Sequence, residues 1–145
     1  MHVLDSGVGA WLMRLTAARL ARRETAALGQ LGHLLASFAV HEILKQASWL
    51  PEPPDAGHHR TKDGVEVDLV LEQFDGTVSA VEVKAGTQIR AEDVRGLASL
   101  RDKLDGSFVG GVVLHTGEVA YQLGDRLFAV PLDALWRCPS NPADV

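Results

Sequence analysis

Two short segments with period-2 alternation, Val65-Glu66-Val67-Asp68-Leu69-Val70-Leu71 and Val81-Glu82-Val83-Lys84, stand on either side of Asp75-Gly76. Asp-Gly between alternating apolar runs signals a hairpin, so the two segments are expected to pair as antiparallel strands. Alternation puts Glu82 and Lys84 on one face of their strand and Val81 and Val83 on the other. A two-residue loop at Asp75-Gly76 would set Leu69 against Glu82 and Val67 against Lys84, mixing charges with aliphatic side chains. A three-residue loop, Phe74-Asp75-Gly76 with Gly76 left-handed, shifts the pairing by one and flips the faces. Val67 then opposes Val83 and Leu69 opposes Val81 on an apolar face, while Asp68 opposes Glu82 and Glu66 opposes Lys84 on the other. The hydrophobic pattern predicts that loop. Two carboxylates and a lysine on neighbouring strands form a donor set for a hard divalent cation beside a phosphate. The structural alternative is a charged sheet face on which Lys84 pairs with Glu66, worth roughly 0.2–1 kcal/mol.

A chain of 145 residues fits one domain, large enough to bury roughly 70% of its unfolded surface. Its net charge of −5 weighs against strong nonspecific nucleic-acid binding by the chain as a whole, though not against a local basic rim. No apolar run approaches the roughly 18 residues of a membrane span, so no membrane partner is expected. Asp5 and the lack of a basic leader predict no signal peptide. Cys138 is the only cysteine, which rules out an internal disulfide and points to the cytoplasm as the default location.

Other elements are read from periodicity. His2-Val3-Leu4 reads as a strand or stub, and Asp5-Ser6 offers an N-cap for a helix with Val8, Trp11, Leu12 and Leu15 on one side. Gly29 to Gly32 reads as an interruption, followed by a helix from Gln30 to Ser48 whose stripe is Leu31, Leu34, Leu35 and Phe38, with Glu42 continuing that side. Pro51 to Gly57 reads as a loop. His58-His59-Arg60 reads as a strand, turned by Thr61-Lys62-Asp63-Gly64 into the Asp68 strand. A helix is expected over Ala91 to Leu104, covering Val67, Leu69, Val81 and Val83. A buried strand follows at Phe108 to His115, then a hairpin of Val119 to Gln122 with Leu127 to Val130, and a last helical turn from Pro131 to Trp136. This order predicts an α/β sandwich with a mixed central sheet flanked by helices. The expected organisation is an N-terminal helical extension over residues 1–29, an α/β domain over 30–137 and a frayed tail over 138–145.

Asp68 with Glu82-x-Lys84, set in an α-β-β-β-α-β order, resembles the PD-(D/E)xK, or restriction-endonuclease-like, nuclease superfamily. His2 to Gly7, Phe38 to Gln46, Arg60 to Asp68 and Leu127 to Trp136 further resemble the C-terminal domain of unknown function carried by bacterial and archaeal AAA-type ATPases. The resemblance implies a restriction-endonuclease-like three-layer sandwich. It also implies Asp68 and Glu82 as ligands of Mg²⁺ or Mn²⁺ and Lys84 as the residue assisting activation of water. The expected partners are an AAA-type ATPase module, in cis or in trans, and nucleic acid. The family pattern places an acid on the first helix where this chain has Ala36. Glu42 is the remaining candidate third ligand, although six residues further along a helix points about 120° away. The alternative for Glu42 is a carboxylate bonded to Arg60 or solvated. No Gly-x-x-x-x-Gly-Lys-Ser/Thr occurs, so the chain is not itself a P-loop ATPase; it reads as a truncated product, an isolated domain or a stand-alone relative.

Two function classes follow. One is a Mg²⁺-dependent endonuclease acting on DNA or RNA phosphodiesters. The other, which Ala36 favours, is a regulatory or docking domain that keeps a nuclease-like scaffold with a degraded, weakly binding metal site. The histidines do not add a metal site: His58 and His59 are strand neighbours facing opposite sides, His33 and His41 are eight apart on a helix, and His115 reads as part of a turn.

Overall fold

In the computed structural model, which describes residues 5–60 and 64–137, the expected hairpin forms with the expected loop. Strands β2 (Glu66–Glu72) and β3 (Val78–Lys84) pair in the register Leu69↔Val81, Val70↔Ala80 and Leu71↔Ser79. The Gln73 amide donates to the Thr77 carbonyl at 2.8 Å, and the Gly76 amide donates to the Gln73 carbonyl at 2.9 Å. That leaves Phe74-Asp75-Gly76 as the loop, and Gly76 has φ +80°, a conformation glycine adopts without steric cost.

The chain is α/β with a six-stranded mixed open sheet in the order β1-β2-β3-β4-β6-β5. β1 (Asp55–Arg60) is one edge. It begins earlier than His58, because the segment after Pro54 has a strand partner in Val70 to Glu72. β4 (Phe108–His115) runs parallel to β3, and β6 (Leu127–Pro131) runs parallel to β4. β5 (Tyr121–Gly124) forms the other edge, antiparallel to β6. It starts two residues later than the sequence suggests and closes through Asp125 and Arg126, the latter at φ +55°.

Four helices accompany the sheet. The single N-terminal helix expected from Asp5 is divided into α1 (Ser6–Leu12) and α2 (Ala17–Ala21). Asp5 caps α1 through the Val8 amide at 2.9 Å, and Thr16 caps α2 through the Arg19 amide at 3.3 Å. The break falls at Arg14, which sits at φ +51°. α3 (Thr25–Ala47) runs without interruption through Gly29 and Gly32. Interior glycines cost a helix only roughly 0.5–1 kcal/mol each, and α3 is held along its length by α1 and α2 on one part and by the sheet on another. The buried side of α3 also differs from the expected stripe: Leu35, Ala36, Ala39 and Ile43 meet the sheet, while Phe38 stacks on Trp136 at 5.7 Å. α4 spans Ala91–Leu104 as the periodicity predicts. Beyond Pro131 the chain makes a 3-10 turn over Leu132–Trp136, tied to α3 by Gln46 Nε2 donating to the Leu135 carbonyl at 2.9 Å.

Helices cover both sheet faces, and the assignment of residues to faces corrects one expectation. α4 covers a cluster built on Val67, Ala80, Phe108, Val113 and Leu127, with Leu97 fully buried at its centre. α3 covers Val83 and Leu114, with Val81, Val112 and Val130 beside them. Val81 and Val83 therefore lie beneath α3, not α4, and Val67 faces the opposite side from Val83. α4 crosses over the face of β3 that carries Ala80, which leaves Val81 and Val83 to α3, and the separation of Val67 from Val83 comes from a β-bulge. Between Gly57↔Val70 and His59↔Val67, β1 advances two residues while β2 advances three. The extra residue at Asp68-Leu69 reverses the alternation of β2 from that point. Val67 then meets Gly96 of α4, where an added Cβ would lie 3.1 Å from Val67 Cγ2 and 2.5 Å from the Glu66 carbonyl oxygen. Only glycine lets α4 approach the bulged strand this closely. The stub at residues 2–4, the turn residues 61–63 and the tail at 138–145 lie outside the described residues.

Candidate functional site

Asp68, Glu82 and Lys84 gather where the bulge interrupts the hairpin. Pairing of β2 with β3 stops at Leu69↔Val81, and beyond it the strands are joined through side chains. The Val83 amide donates to Asp68 Oδ2 at 2.8 Å, and the Asp68 amide donates to Glu82 Oε2 at 3.3 Å. Each carboxylate thus accepts a main-chain amide from the opposite strand, in place of the carbonyls a regular ladder would offer. Lys84 Nζ lies 2.8 Å from Glu82 Oε1 and 3.7 Å from Asp93 Oδ1.

The elements explain this arrangement. Glu82 and Lys84 share a face by strand alternation, as the sequence predicts, and that face lies under the first turn of α4. There Asp93 caps the helix, its Oδ2 accepting the Arg90 amide at 2.8 Å, and its other oxygen faces Lys84. Asp93 escapes the sequence reading because its signal, an acid three residues after the helix start, is that of an ordinary capping residue. Only the β3–α4 crossover carries it to Lys84. Glu66 pairs with Arg60 of β1 at 2.9 Å, so neither a Glu66–Lys84 pair nor a Glu42–Arg60 pair forms.

Burial governs the electrostatics. Glu82 keeps only 11% of its side chain exposed. Desolvation raises its pKa above the usual carboxylate range, against the Lys84 hydrogen bond, and the charge of Asp68 adds to the rise. Desolvation likewise raises the Asp68 carboxyl, although the Val83 amide opposes it. For Lys84, burial works against the charge. The hydrogen bond to Glu82 and the charges of Glu82, Asp93 and Asp68 outweigh it and hold the ammonium above its ordinary pKa.

The remaining sequence candidates lie elsewhere. Glu42 is on α3, whose sheet-facing side covers the Val83 face, and its ion pair is with Lys45 at 3.8 Å. Ala36 is packed against the Val83–Leu114 cluster, on the face opposite Glu82. An acid there would enter an apolar layer on the far side of the sheet from Glu82. His115 is not in a turn but ends β4 beside Lys84. It is 1% exposed, and its Nδ1 accepts the Gly117 amide at 2.9 Å. Its Nε2 is buried without a partner among the described residues.

The donors can be tested against a divalent cation. Three of the four oxygens of Asp68 and Glu82 already accept from the Val83 amide, the Asp68 amide and Lys84. Among the described residues no group of three or more His, Cys, Asp and Glu side chains is disposed to hold a metal ion. A hard cation needs several free oxygens converging at 2.0–2.6 Å, and this set does not fit one without rearrangement. No helix among the described residues is long and apolar enough to cross a membrane.

A family described as Domain of unknown function (DUF4143) matches residues 31–135, more than half of the chain. No curated protein and no solved structure matches.

Proposed function

The chain belongs to the DUF4143 family, and we propose that it is a nuclease-like domain of restriction-endonuclease-like ancestry whose role is regulatory or docking, with an AAA-type ATPase module in cis or in trans as its partner. One observation supports the non-catalytic reading. Each carboxylate accepts an amide from the opposite strand, and the Lys84 ammonium already pairs with Glu82 at 2.8 Å. The same three residues in an open arrangement would bind Mg²⁺ or Mn²⁺ and orient a water toward a phosphodiester. Here they clasp two strands together at a bulge. Asp93 supports this reading, because it gives Lys84 a second anionic neighbour at 3.7 Å.

Calorimetric titration of Mn²⁺ into the whole chain, beside incubation with plasmid and single-stranded DNA and RNA, tests this. Mn²⁺ is chosen because it binds such donors more tightly than its lighter competitor Mg²⁺. The expected result is weak binding or none and no cleavage. Robust cleavage that disappears in both Glu82→Ala and Lys84→Ala would establish the alternative, a Mg²⁺-dependent endonuclease.

A further inference from the structure

α4 leaves a second feature on its other flank. Between it and the β5–β6 hairpin runs an open groove of about 600 Å³. Its floor is aliphatic: Val94 and Ala98 project from successive turns of α4, Ile89 comes from the segment before the helix, and Leu123 and Leu127 come from the hairpin. Its rim is cationic, with Arg90, Arg95 and Arg101 against a single acid, Glu92. This reverses the balance of a chain whose net charge is −5.

The three guanidinium groups are not equivalent. Arg101 pairs with Asp102 at 2.7 Å and donates to the Asp125 carbonyl at 3.2 Å, which braces one end of the groove. Arg90 lies 3.4 Å from Glu92 in an exposed pair that contributes little. Arg95 is exposed and has neither an ion pair nor a hydrogen bond among the described residues. An apolar floor takes aliphatic or aromatic side chains, and an unpaired guanidinium at its lip takes a carboxylate in a bidentate pair. Single-stranded nucleic acid would satisfy the arginines but not the floor, since the groove lacks the aromatic rings on which bases stack.

We propose that this groove docks an acidic polypeptide segment that also carries apolar side chains, its carboxylates meeting Arg95 and Arg90 and its apolar residues seated on Val94, Ala98 and Leu123. The inference goes beyond the reading of the carboxylate clasp and stands whether or not that clasp has any chemistry.

The test uses the whole chain as bait for a displayed random-peptide library, with counter-selection on Arg95→Glu, a change at an exposed and unpaired position. Enriched sequences are synthesised and measured by fluorescence anisotropy, with oligo-dT as competitor, and mapped by amide chemical shifts. The expected result is enrichment of peptides combining Asp or Glu with Leu, Ile or Phe. Their binding should weaken by about tenfold or more in Arg95→Glu and also weaken with salt, with shifts at Ala98 and Leu123. Failure to enrich, enrichment of basic peptides, affinity unchanged in Arg95→Glu, shifts elsewhere, or displacement by oligo-dT at equal affinity would each overturn it.

Discussion

The β2–β3 hairpin is held at its closed end by main-chain bonds and one local carboxylate, and at its open end by carboxylates that reach across strands. Around Phe74-Asp75-Gly76 the ladder is regular and each residue faces its expected partner, while Asp75 Oδ1 accepts the Thr77 amide at 2.9 Å and the Thr77 hydroxyl at 2.7 Å within the turn. Around Asp68 the ladder gives way to a bulge, and two carboxylates take over as acceptors. The closed end depends on backbone conformation and on side-chain bonds confined to neighbours two residues apart, Asp75 and Thr77. The open end depends on particular side chains, buried, desolvated and oriented by a helix that arrives from elsewhere. That difference separates a turn held by neighbours in sequence from a junction held by groups that only the tertiary fold brings together.

The largest effect is expected where α4 sits on the bulged strand. Leu97 is fully buried against Val67 and its neighbours, so Leu97→Ala is expected to cost roughly 2–5 kcal/mol. Chemical denaturation followed by circular dichroism measures it, and a loss below about 1 kcal/mol would mean the open end does not rely on α4.

Next comes the clasp itself. Glu82→Ala removes the acceptor of the Asp68 amide and the closest partner of Lys84, and is expected to cost roughly 1–3 kcal/mol by leaving buried donors unsatisfied. The clasp also has a pH signature. Asp68 and Glu82 both titrate above their ordinary range, chiefly from desolvation, so the folded state binds their protons more readily than the unfolded one. Their ionisation therefore costs stability above the raised pKa values, and that cost is relieved as the pH falls toward the unfolded values. Relative to the doubly amidated variant Asp68→Asn/Glu82→Gln, the native chain should gain stability between about pH 7 and about pH 4. A relative loss over that window would indicate depressed carboxyls and an ordinary surface salt bridge. Lys84, also raised, contributes in full below its ordinary pKa and loses that contribution only as pH climbs through the raised value, so it does not interfere in the acid window.

The smallest effect belongs to the closed end. Gly76→Ala forces a side chain into a left-handed conformation, at a cost of roughly 1–2 kcal/mol. Comparing this loss with that of Glu82→Ala sharpens the contrast. Should the turn variant prove the costlier by a clear margin, the hairpin is held by its turn and the carboxylates are passengers.

Much of the hairpin was legible because one period-2 pattern and one Asp-Gly pair leave few registers that bury aliphatic side chains together. The bounds of α4 and β4 were legible for the same reason, long apolar periodicity with clear ends. The sharing of a face by Glu82 and Lys84 follows from alternation alone. The bulge was not legible, since an extra residue in β2 becomes visible only against β1, a partner distant in sequence. With it went the placement of Val67 beneath α4, while Val83 lies beneath α3 because the β3–α4–β4 crossover takes α4 over the other face of β3. Asp93 was not legible as a site residue, and His115 was legible as the end of its strand but not as a neighbour of Lys84, because both approaches depend on how the β3–α4–β4 crossover returns. Local periodicity determined which residues form strands and helices and which side chains share a strand face, because those properties repeat along the backbone. Which carboxylate oxygens remain free for a cation was decided only by the tertiary structure, because that depends on amides and ammonium groups brought in from other strands and from α4.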